Sequence, residues 1–146
     1  MSEYAGSEVD KSNFYFKRGN SYSNVGEYRK AIRDFDTVIG LYASNPYAYN
    51  NRGMAHLCLG DNKEALEDLN KAICLRSDYE DAYHNRGLVY FETGYLDDSI
   101  SDFTRAIELN SNFSSAYRHR GMAYFRKGDK EGSYRDYLAS RNENNP

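Results

Sequence analysis

Three histidines and two cysteines are the side chains of this 146-residue chain that are best suited to chemistry. Imidazoles and thiolates bind zinc and transfer protons near neutral pH. Cys58 and Cys74 stand outside any Cys-x-x-Cys or Cys/His ligand spacing, which predicts reduced thiols with no redox or metal role. His56 falls on an inward helix face, while His84 and His119 are expected to approach each other on neighbouring helices. Two imidazoles without a positioned carboxylate or thiolate make a weak metal site, so we predict neither a metal nor another cofactor.

The remaining chemical signals also argue against catalysis. Most Asp and Glu belong to helix starts and solvated faces, and the chain has no Gly-rich phosphate loop and no nucleophile elbow. A net charge of −3 and a pI of about 5.6 disfavour nucleic acid, because phosphate binding depends on clustered Lys and Arg. No apolar run approaches the roughly 20 residues that span a bilayer, and the N-terminus lacks a signal-peptide pattern. These features predict a cytoplasmic protein that is not an enzyme and has no membrane span.

An arginine and an aspartate recur at a fixed separation and could form ion pairs. Each Arg is followed 16 residues later by an Asp, as in Arg52 with Asp68 and Arg86 with Asp102. Because both partners repeat on consecutive helices, we predict that each pair braces a helical hairpin. Recognition of a ligand by these arginines is the alternative. If the carboxylate is buried, removing one partner would cost about 3 to 5 kcal/mol, whereas an exposed pair would matter little.

The elements that carry these residues repeat at a constant interval without a gap. Every copy of 34 residues holds a Tyr, an Arg, an Asp and two Gly at the same places, as the third copy shows with Tyr83, Arg86, Asp102, Gly87 and Gly94. Self-similarity at this period predicts stacked supersecondary units. We predict an all-α solenoid of four helix-turn-helix repeats, with about eight antiparallel helices and no strand. The repeats span about 12–45, 46–79, 80–113 and 114–145 of a single domain at 12–146, which follows a flexible acidic leader at 1–11.

Two kinds of glycine punctuate each repeat. Gly94 stops the first helix of the third repeat, because Gly readily adopts the left-handed conformation that ends a helix. The other kind lies inside the first helix, where each Gly costs about 1 kcal/mol relative to Ala. A cost repeated at the same place predicts close approach of the second helix. These residues are Gly19, Gly53, Gly87 and Gly121, expected opposite the small residues Ala31, Ala65, Ser99 and Ser133.

The second helix of the last repeat differs from its counterparts. It is more polar on its outward face, as the terminal unit of a stack must be. We therefore expect this helix to act as its own cap. The alternative is that Tyr134, Tyr137 and Leu138 dock against a second molecule or a further helix.

The pattern Ala-Tyr-x-x-x-Gly-x-x-Tyr, followed by Gly and then by Ala, Phe and Ala, resembles the tetratricopeptide repeat over nearly the whole chain. The Asn-Arg-Gly runs at 51–53 and 85–87 are similar to a common subtype of that family. Departures are Ala43, Ser77 and Ser111 in place of a late Pro, and His56 in place of an aromatic residue. The resemblance implies a right-handed α-solenoid superhelix whose concave groove is lined by the first helix of each repeat.

The resemblance also implies a function, which is to bind an extended or helical segment of a partner protein and so act as an adaptor or scaffold. Asn side chains could hold the backbone of an extended peptide, and apolar residues could accept its side chains. The groove residues expected by matching positions are Asn20, Asn50, Asn51, Met54, Leu57, His84, Asn85, Leu88, Phe91, Arg118, His119, Met122, Phe125 and Arg126.

One subtype of the family grips the C-terminal carboxylate of heat-shock chaperones with a set of Asn and cationic residues. The Asn positions of that clamp match Asn20 and Asn51 here. Its cationic positions read Phe16, Asp81 and Asn85, so we predict that this chain does not bind chaperone tails. The basic end of the expected groove instead lies in the fourth repeat, where Arg118 and Arg126 could meet acidic residues of a partner.

Two other functions compete with peptide binding. The chain could be a structural module that forms homo-oligomers through its end helices or its Tyr-rich edges. Binding of RNA by a helical repeat is the third reading, and the acidic composition disfavours it.

Overall fold

The computed structural model describes residues 6–141, and these form eight α-helices and no strand. The predicted all-α fold of four helix-turn-helix repeats is therefore confirmed. First helices begin at the predicted repeat boundaries in the second, third and fourth repeats. The helices are α1 (Glu8–Asn24), α2 (Tyr28–Leu41), α3 (Pro46–Leu59), α4 (Asn62–Leu75), α5 (Glu80–Glu92), α6 (Leu96–Leu109), α7 (Ser114–Lys127) and α8 (Lys130–Arg141).

The predicted leader at residues 1–11 is too long. Helix α1 begins at Glu8, because the Ser7 hydroxyl accepts a hydrogen bond from the backbone N–H of Asp10 while the Asp10 carboxylate accepts one from the backbone N–H of Ser7. This reciprocal cap satisfies two backbone donors that a helix start otherwise leaves unpaired. Residues 8–11 therefore belong to the first repeat. The rest of the predicted leader up to residue 5 lies outside the described residues, as do residues 142–146 of the predicted fourth repeat.

The chain divides into two units. The amino-terminal unit runs to Arg76 and contains α1–α4, and the carboxy-terminal unit begins at Ser77 and contains α5–α8. Within each unit every helix packs against the next one along the chain. Each unit therefore holds two complete hairpins and one packed joint between consecutive repeats. Fully buried apolar side chains of the second helices form the cores, chiefly Phe35 and Leu69 in one unit and Phe103 in the other.

The turn between the two helices of each repeat depends on glycine. The residues at this place are the only ones in the described chain with positive φ, between 79° and 87°. An added Cβ would meet no atom there, so the requirement is the backbone conformation alone. The prediction made for Gly94 is confirmed, and the same holds for Gly26, Gly60 and Gly128.

The glycines inside the first helices make room for the second helix, but not mainly opposite the small residues that we expected. An added Cβ at Gly87 would lie 2.7 Å from Cε1 of Phe103, and one at Gly19 would lie 2.8 Å from Cε1 of Phe35. At Gly53 the nearest atom is Cγ of Leu69, at 2.9 Å. The contact is thus made by a large apolar residue one helical turn beyond the small one. Only Gly121 lacks such a neighbour, and its closest atoms belong to Asp136 and Ser133 at 3.2 Å.

The Arg–Asp pairs are present in all four repeats. In each one the guanidinium donates two hydrogen bonds of 2.7–2.8 Å to the carboxylate on the second helix. These hydrogen bonds raise the pKa of the Arg86 guanidinium further above its usual value. The pair in the fourth repeat is the most enclosed, since the side chains of Arg120 and Asp136 are 16% and 2% exposed, whereas that of Arg18 is 43% exposed. Each pair therefore joins the two helices of its own hairpin through a buried carboxylate.

The same arginines touch further groups within their units. Arg86 stacks between the rings of Tyr83 and Tyr90, at 5.7 and 5.9 Å from the ring centres. Arg120 also donates to the hydroxyl of Thr104, at 3.1 Å, on the second helix of the preceding repeat. Tyrosines at these repeated places therefore extend each ion pair with cation–π contacts.

No helix in the described part of the chain is both long enough and apolar enough to cross a membrane.

Candidate functional site

A cleft of about 480 Å³ opens in the amino-terminal unit where α1 and α3 run side by side. Helix α1 contributes amides and a hydroxyl, α2 contributes a tyrosine at its first residue, and α3 contributes an amide, two apolar residues and a thiol. The lining residues are Asn20, Ser23, Asn24, Tyr28, Asn51, Met54, Ala55 and Cys58. None of these side chains carries a formal charge at neutral pH, so the cleft presents hydrogen-bonding groups beside apolar ones.

A chain of hydrogen-bonded amides crosses one wall of this cleft. Nδ2 of Asn50 donates to Oδ1 of Asn51 at 3.1 Å, and Nδ2 of Asn51 donates to Oδ1 of Asn20 at 2.8 Å. The second of these bonds joins α3 to α1 and fixes the orientation of both amide groups. Such a network presents amide groups whose positions are set before any ligand arrives.

The hydroxyl of Ser23 also belongs to the cleft wall. Its Oγ atom is buried and has no hydrogen-bond partner among the described residues. A buried hydroxyl without a partner is uncommon and costs stability unless something satisfies it. At the opposite side of the cleft, a hydrogen bond with Cys58 raises the pKa of the Tyr28 phenol. The cleft thus combines an unsatisfied hydroxyl with a tyrosine that stays protonated at neutral pH.

The corresponding joint of the carboxy-terminal unit is made by two imidazoles. Nε2 of His84 on α5 lies 3.0 Å from Nδ1 of His119 on α7. The ring of His84 also contacts those of Phe103 and Phe113, with centres 5.6 and 4.8 Å away. A single proton must lie between the two nitrogens, because two protonated rings would repel each other at this distance.

Burial holds both imidazoles neutral at physiological pH. Burial, and then the neighbouring His119, lower the pKa of His84 to about 4. Burial and the charge of Arg118 lower the pKa of His119. The histidines that we expected to meet therefore do meet, and they serve as a neutral hydrogen-bonded link between two repeats. The described residues contain no group of three or more side chains that could hold a metal ion.

A second cavity, of about 350 Å³ and mostly apolar, lies in the carboxy-terminal unit between α5, α7 and α8. It is lined by Phe91, Gly121, Met122, Phe125, Arg126, Ser133 and Tyr137. Arg126 closes one side, since its Nη1 donates to the backbone oxygen of Phe91 at 2.9 Å and its guanidinium lies 4.6 Å from the centre of that ring.

The predicted groove residues differ in exposure. Seven are partly exposed and four are exposed, so they can contact a partner, but three are buried and face other parts of the protein. The partly exposed residues are Asn20, Asn51, Met54, Leu57, Leu88, Phe91 and His119; the exposed ones are Arg118, Met122, Phe125 and Arg126; the buried ones are Asn50, His84 and Asn85. The structure brings Asn20, Asn51 and Met54 together in the cleft, and Phe91, Met122, Phe125 and Arg126 together in the apolar cavity.

Sequence reasoning missed two residues of the cleft. Ser23 could have been found, because it lies 34 residues before Leu57 and 68 before Phe91, both of which were predicted to line the groove. Tyr28 has no such signal, since the equivalent places of the later repeats hold Asn62 and Leu96. A residue at the start of a second helix is not expected in a face made by first helices.

Comparison with known proteins agrees with the repeat pattern. A family model described as "TPR repeat" matches residues 57–94, and two described as "Tetratricopeptide repeat" match residues 80–113 and 12–45. No curated protein matches the chain by sequence.

Several solved structures are similar in fold over most of the chain. A crystal structure of MamA is 27% identical, covers 90% of this chain and 77% of its own, and has a TM-score of 0.82. The first TPR of Spaghetti (RPAP3) bound to the HSP90 peptide SRMEEVD is 27% identical, with coverages of 82% and 94% and a TM-score of 0.78. The second TPR domain of human RPAP3 in complex with the HSP70 peptide SGPTIEEVD is 26% identical, with coverages of 80% and 98% and a TM-score of 0.75.

Proposed function

The chain belongs to the tetratricopeptide repeat family, and we propose on that premise that it is a protein-interaction module without catalytic chemistry of its own. Its ligand is a peptide segment of a partner protein, and the cleft between α1 and α3 is its main contact. This assignment rests chiefly on one observation, the amide pair Asn20–Asn51 that lines a cleft of about 480 Å³. Similar domains of RPAP3 are solved with bound peptides.

The chemistry of the cleft favours a neutral, extended stretch of peptide. Amide side chains offer a donor and an acceptor, as a peptide bond does, so an extended backbone can pair with them. The buried hydroxyl of Ser23 would gain a partner on binding, which adds to the affinity because its present cost is removed. Met54 provides an adaptable apolar surface for one side chain of the ligand.

The ligand is not an acidic chaperone tail. The two RPAP3 domains hold peptides that end in Glu-Glu-Val-Asp. In this chain the ring of Phe16 stands at a place where the carboxylate clamp needs a cation, and it packs against Phe35 with ring centres 6.0 Å apart. Asp81 adds a negative charge and Asn85 is buried, so a terminal carboxylate would be desolvated without a cation to compensate it.

Affinity capture from a cell lysate tests the cleft with three forms of the full chain. The wild type is compared with a double variant, Asn20→Ala with Asn51→Ala, and with the control Asn112→Ala, which makes the same chemical change on an exposed turn of the other unit. We expect partner proteins recovered by the wild type and the control to fall by about tenfold with the double variant, since each lost hydrogen bond is worth roughly 1 kcal/mol. Equal recovery by all three would refute the proposal.

A defined peptide tests the excluded ligand. Calorimetric titration of the full chain with SRMEEVD is expected to give no saturable heat, whereas an RPAP3 domain serves as the positive control. Saturable binding that Asn20→Ala abolishes would show that the amides alone suffice for carboxylate recognition, and our reading of Phe16 and Asp81 would then be wrong.

A further inference from the structure

The last hairpin exposes a continuous apolar surface that we call the terminal face, made of Arg118, Met122 and Phe125 on α7 with Tyr134, Tyr137 and Leu138 on α8. The five apolar and aromatic residues among these are 45–66% exposed. Clusters of large exposed apolar residues rimmed by charge are typical of interaction surfaces rather than of free surface.

The third repeat shows what shape fits this face. His84, Phe103 and Thr104 stand 34 residues before Arg118, Tyr137 and Leu138, and in the carboxy-terminal unit they are covered by a helix. The ring of His119 lies 5.1 Å from that of His84 and 5.9 Å from that of Phe103, and Arg120 donates to Thr104. Both contacts come from α7. An α-helix placed on the last hairpin as α7 is placed on the third therefore covers the terminal face.

The terminal face also has room for a side chain that the third repeat does not. Phe103 is fully buried and lies against Gly87, so it fills the space between its two helices. Tyr137 is 50% exposed instead, and its hydroxyl accepts a hydrogen bond from Arg141 at 2.9 Å. Because no ring lies against Gly121, part of the apolar cavity of about 350 Å³ opens there. A bulky apolar residue of an incoming helix can enter this space.

Charge at the face selects the kind of helix. Arg118 takes the place of His84, so the residue of the incoming helix at the position of His119 would meet a guanidinium. A carboxylate at that position forms an ion pair. Leu138 takes the place of Thr104, so the residue at the position of Arg120 must be apolar.

A second copy of this chain does not satisfy these demands. Helix α1 in the same register would bring Lys17 to the position of His119, and cation would face cation at Arg118. It would also bring Arg18, which is already paired with Asp34, against the apolar side chain of Leu138. Like charges at such close approach suppress the wrong partner.

We infer that the terminal face binds an amphipathic α-helix of a partner protein, with a carboxylate opposite Arg118, an apolar residue opposite Leu138 and a bulky apolar residue beside Gly121. This surface is separate from the cleft between α1 and α3, so the chain has two interaction sites.

Two synthetic peptides test the inference. Both have the sequence of Glu80–Glu92, which has the shape of a first helix and contains no Met, and both carry Arg86→Leu to suit Leu138. One carries Asn85→Glu and the other Asn85→Lys at the position that faces Arg118. The full chain, with methionine methyl groups labelled for NMR, reports on each site separately, since Met122 belongs to the terminal face and Met54 to the cleft.

The expected result is a saturable shift of the Met122 methyl with the Glu peptide, no shift of Met54, and binding of the Lys peptide about fivefold weaker, as suits a partly exposed ion pair. The variant Arg118→Glu should reverse the preference, and the control Lys71→Glu, an exposed charge in the other unit, should leave it unchanged. No shift at Met122, or equal binding of the two peptides to every form, would overturn the inference. So would light scattering that shows dimers lost on Tyr137→Ala, because a second copy would then be the occupant.

Discussion

The two units join their consecutive repeats at equivalent positions with different chemistry. In the amino-terminal unit, Asn51 on α3 bonds to Asn20 on α1. In the carboxy-terminal unit, the position of Asn51 is taken by His119, and it bonds to His84 on α5. Amides keep the same charge at every physiological pH, whereas imidazoles gain a proton in mild acid. The comparison shows that the hairpins share one bracing device while the joints between them vary.

The variation lies where function is proposed. Arg, Asp and Gly recur in every hairpin and hold its two helices together, so they are free of any partner. The residues that differ between repeats stand on the first helices, at the cleft in one unit and at the imidazole pair and terminal face in the other. Each unit therefore presents its own surface on a common scaffold.

The largest effect is expected from breaking the bracing pair in the two units and comparing the losses. Arg120→Ala leaves the carboxylate of Asp136, which is 2% exposed, without its partner and should lower the free energy of unfolding by about 3 kcal/mol. Arg18→Ala removes a side chain that is 43% exposed, and water can replace it, so about 1 kcal/mol is expected. Urea unfolding followed by far-UV circular dichroism measures both. Equal losses would contradict the role assigned to burial.

Acid should weaken the imidazole joint and spare the amide joint. The pKa of His84 is about 4 in the folded chain and close to 6.5 when unfolded, so the unfolded state binds protons first as the pH falls. Stability from this group is complete above pH 6.5 and is lost between pH 6.5 and 4, by about 2 kcal/mol at pH 5. His119 and the charge of Arg118, which face the same ring, act in the same direction.

The control for this prediction exchanges the joints. The pair His84→Asn and His119→Asn places the residues of Asn50 and Asn51 in the carboxy-terminal unit. Thermal unfolding at pH 7 and pH 5 should then show a smaller acid-induced fall in Tm than the wild type shows. An unchanged fall would mean that other groups cause the acid sensitivity.

A smaller effect is expected from filling the space beside the helix glycines. Gly87→Ala places a methyl 2.7 Å from the ring of the fully buried Phe103, and overpacking should exceed the gain in helix propensity by about 1 to 2 kcal/mol. Gly121→Ala meets nothing closer than 3.2 Å, so its net effect should be near zero. Chemical denaturation of the two variants distinguishes them, and the opposite order would contradict the packing described.

The smallest effect on stability should come from the amide joint itself. Asn51→Ala removes the 2.8 Å hydrogen bond to Asn20 and should cost about 1 kcal/mol. The loss should be the same at pH 7 and pH 5, because no charge changes. A loss that grows in acid would break the distinction between the two joints.

The fold could be predicted from sequence because its devices repeat. An Arg followed by an Asp at a constant separation, and a Gly at each turn, identify the hairpins four times over. The start of α1 was misplaced although Ser7 and Asp10 have the spacing of a capping box, since weak apolar patterning hid the first turn. The packing partners of the helix glycines were misplaced by one turn, because sequence spacing does not show how far a ring such as that of Phe103 reaches.

The candidate site was predicted less completely, for a geometric reason. Successive residues on a helix point about 100° apart, so Asn50 and Asn51 cannot both face one groove, nor can His84 and Asn85. Matching by repeat position assigned both members of each pair. The structure separates them, with Asn50 at 5% and His84 at 8% exposure. The unsatisfied hydroxyl of Ser23 could not be foreseen at all, because it depends on what surrounds the atom in three dimensions.

The short separation between Arg and Asp in every hairpin also bears on how quickly the chain acquires its structure. Contacts between residues 16 apart require closure of only a small loop, and chains dominated by such contacts fold in microseconds to milliseconds. Each hairpin can form before its neighbours have been synthesised, and we expect refolding to lack a slow phase from distant pairing.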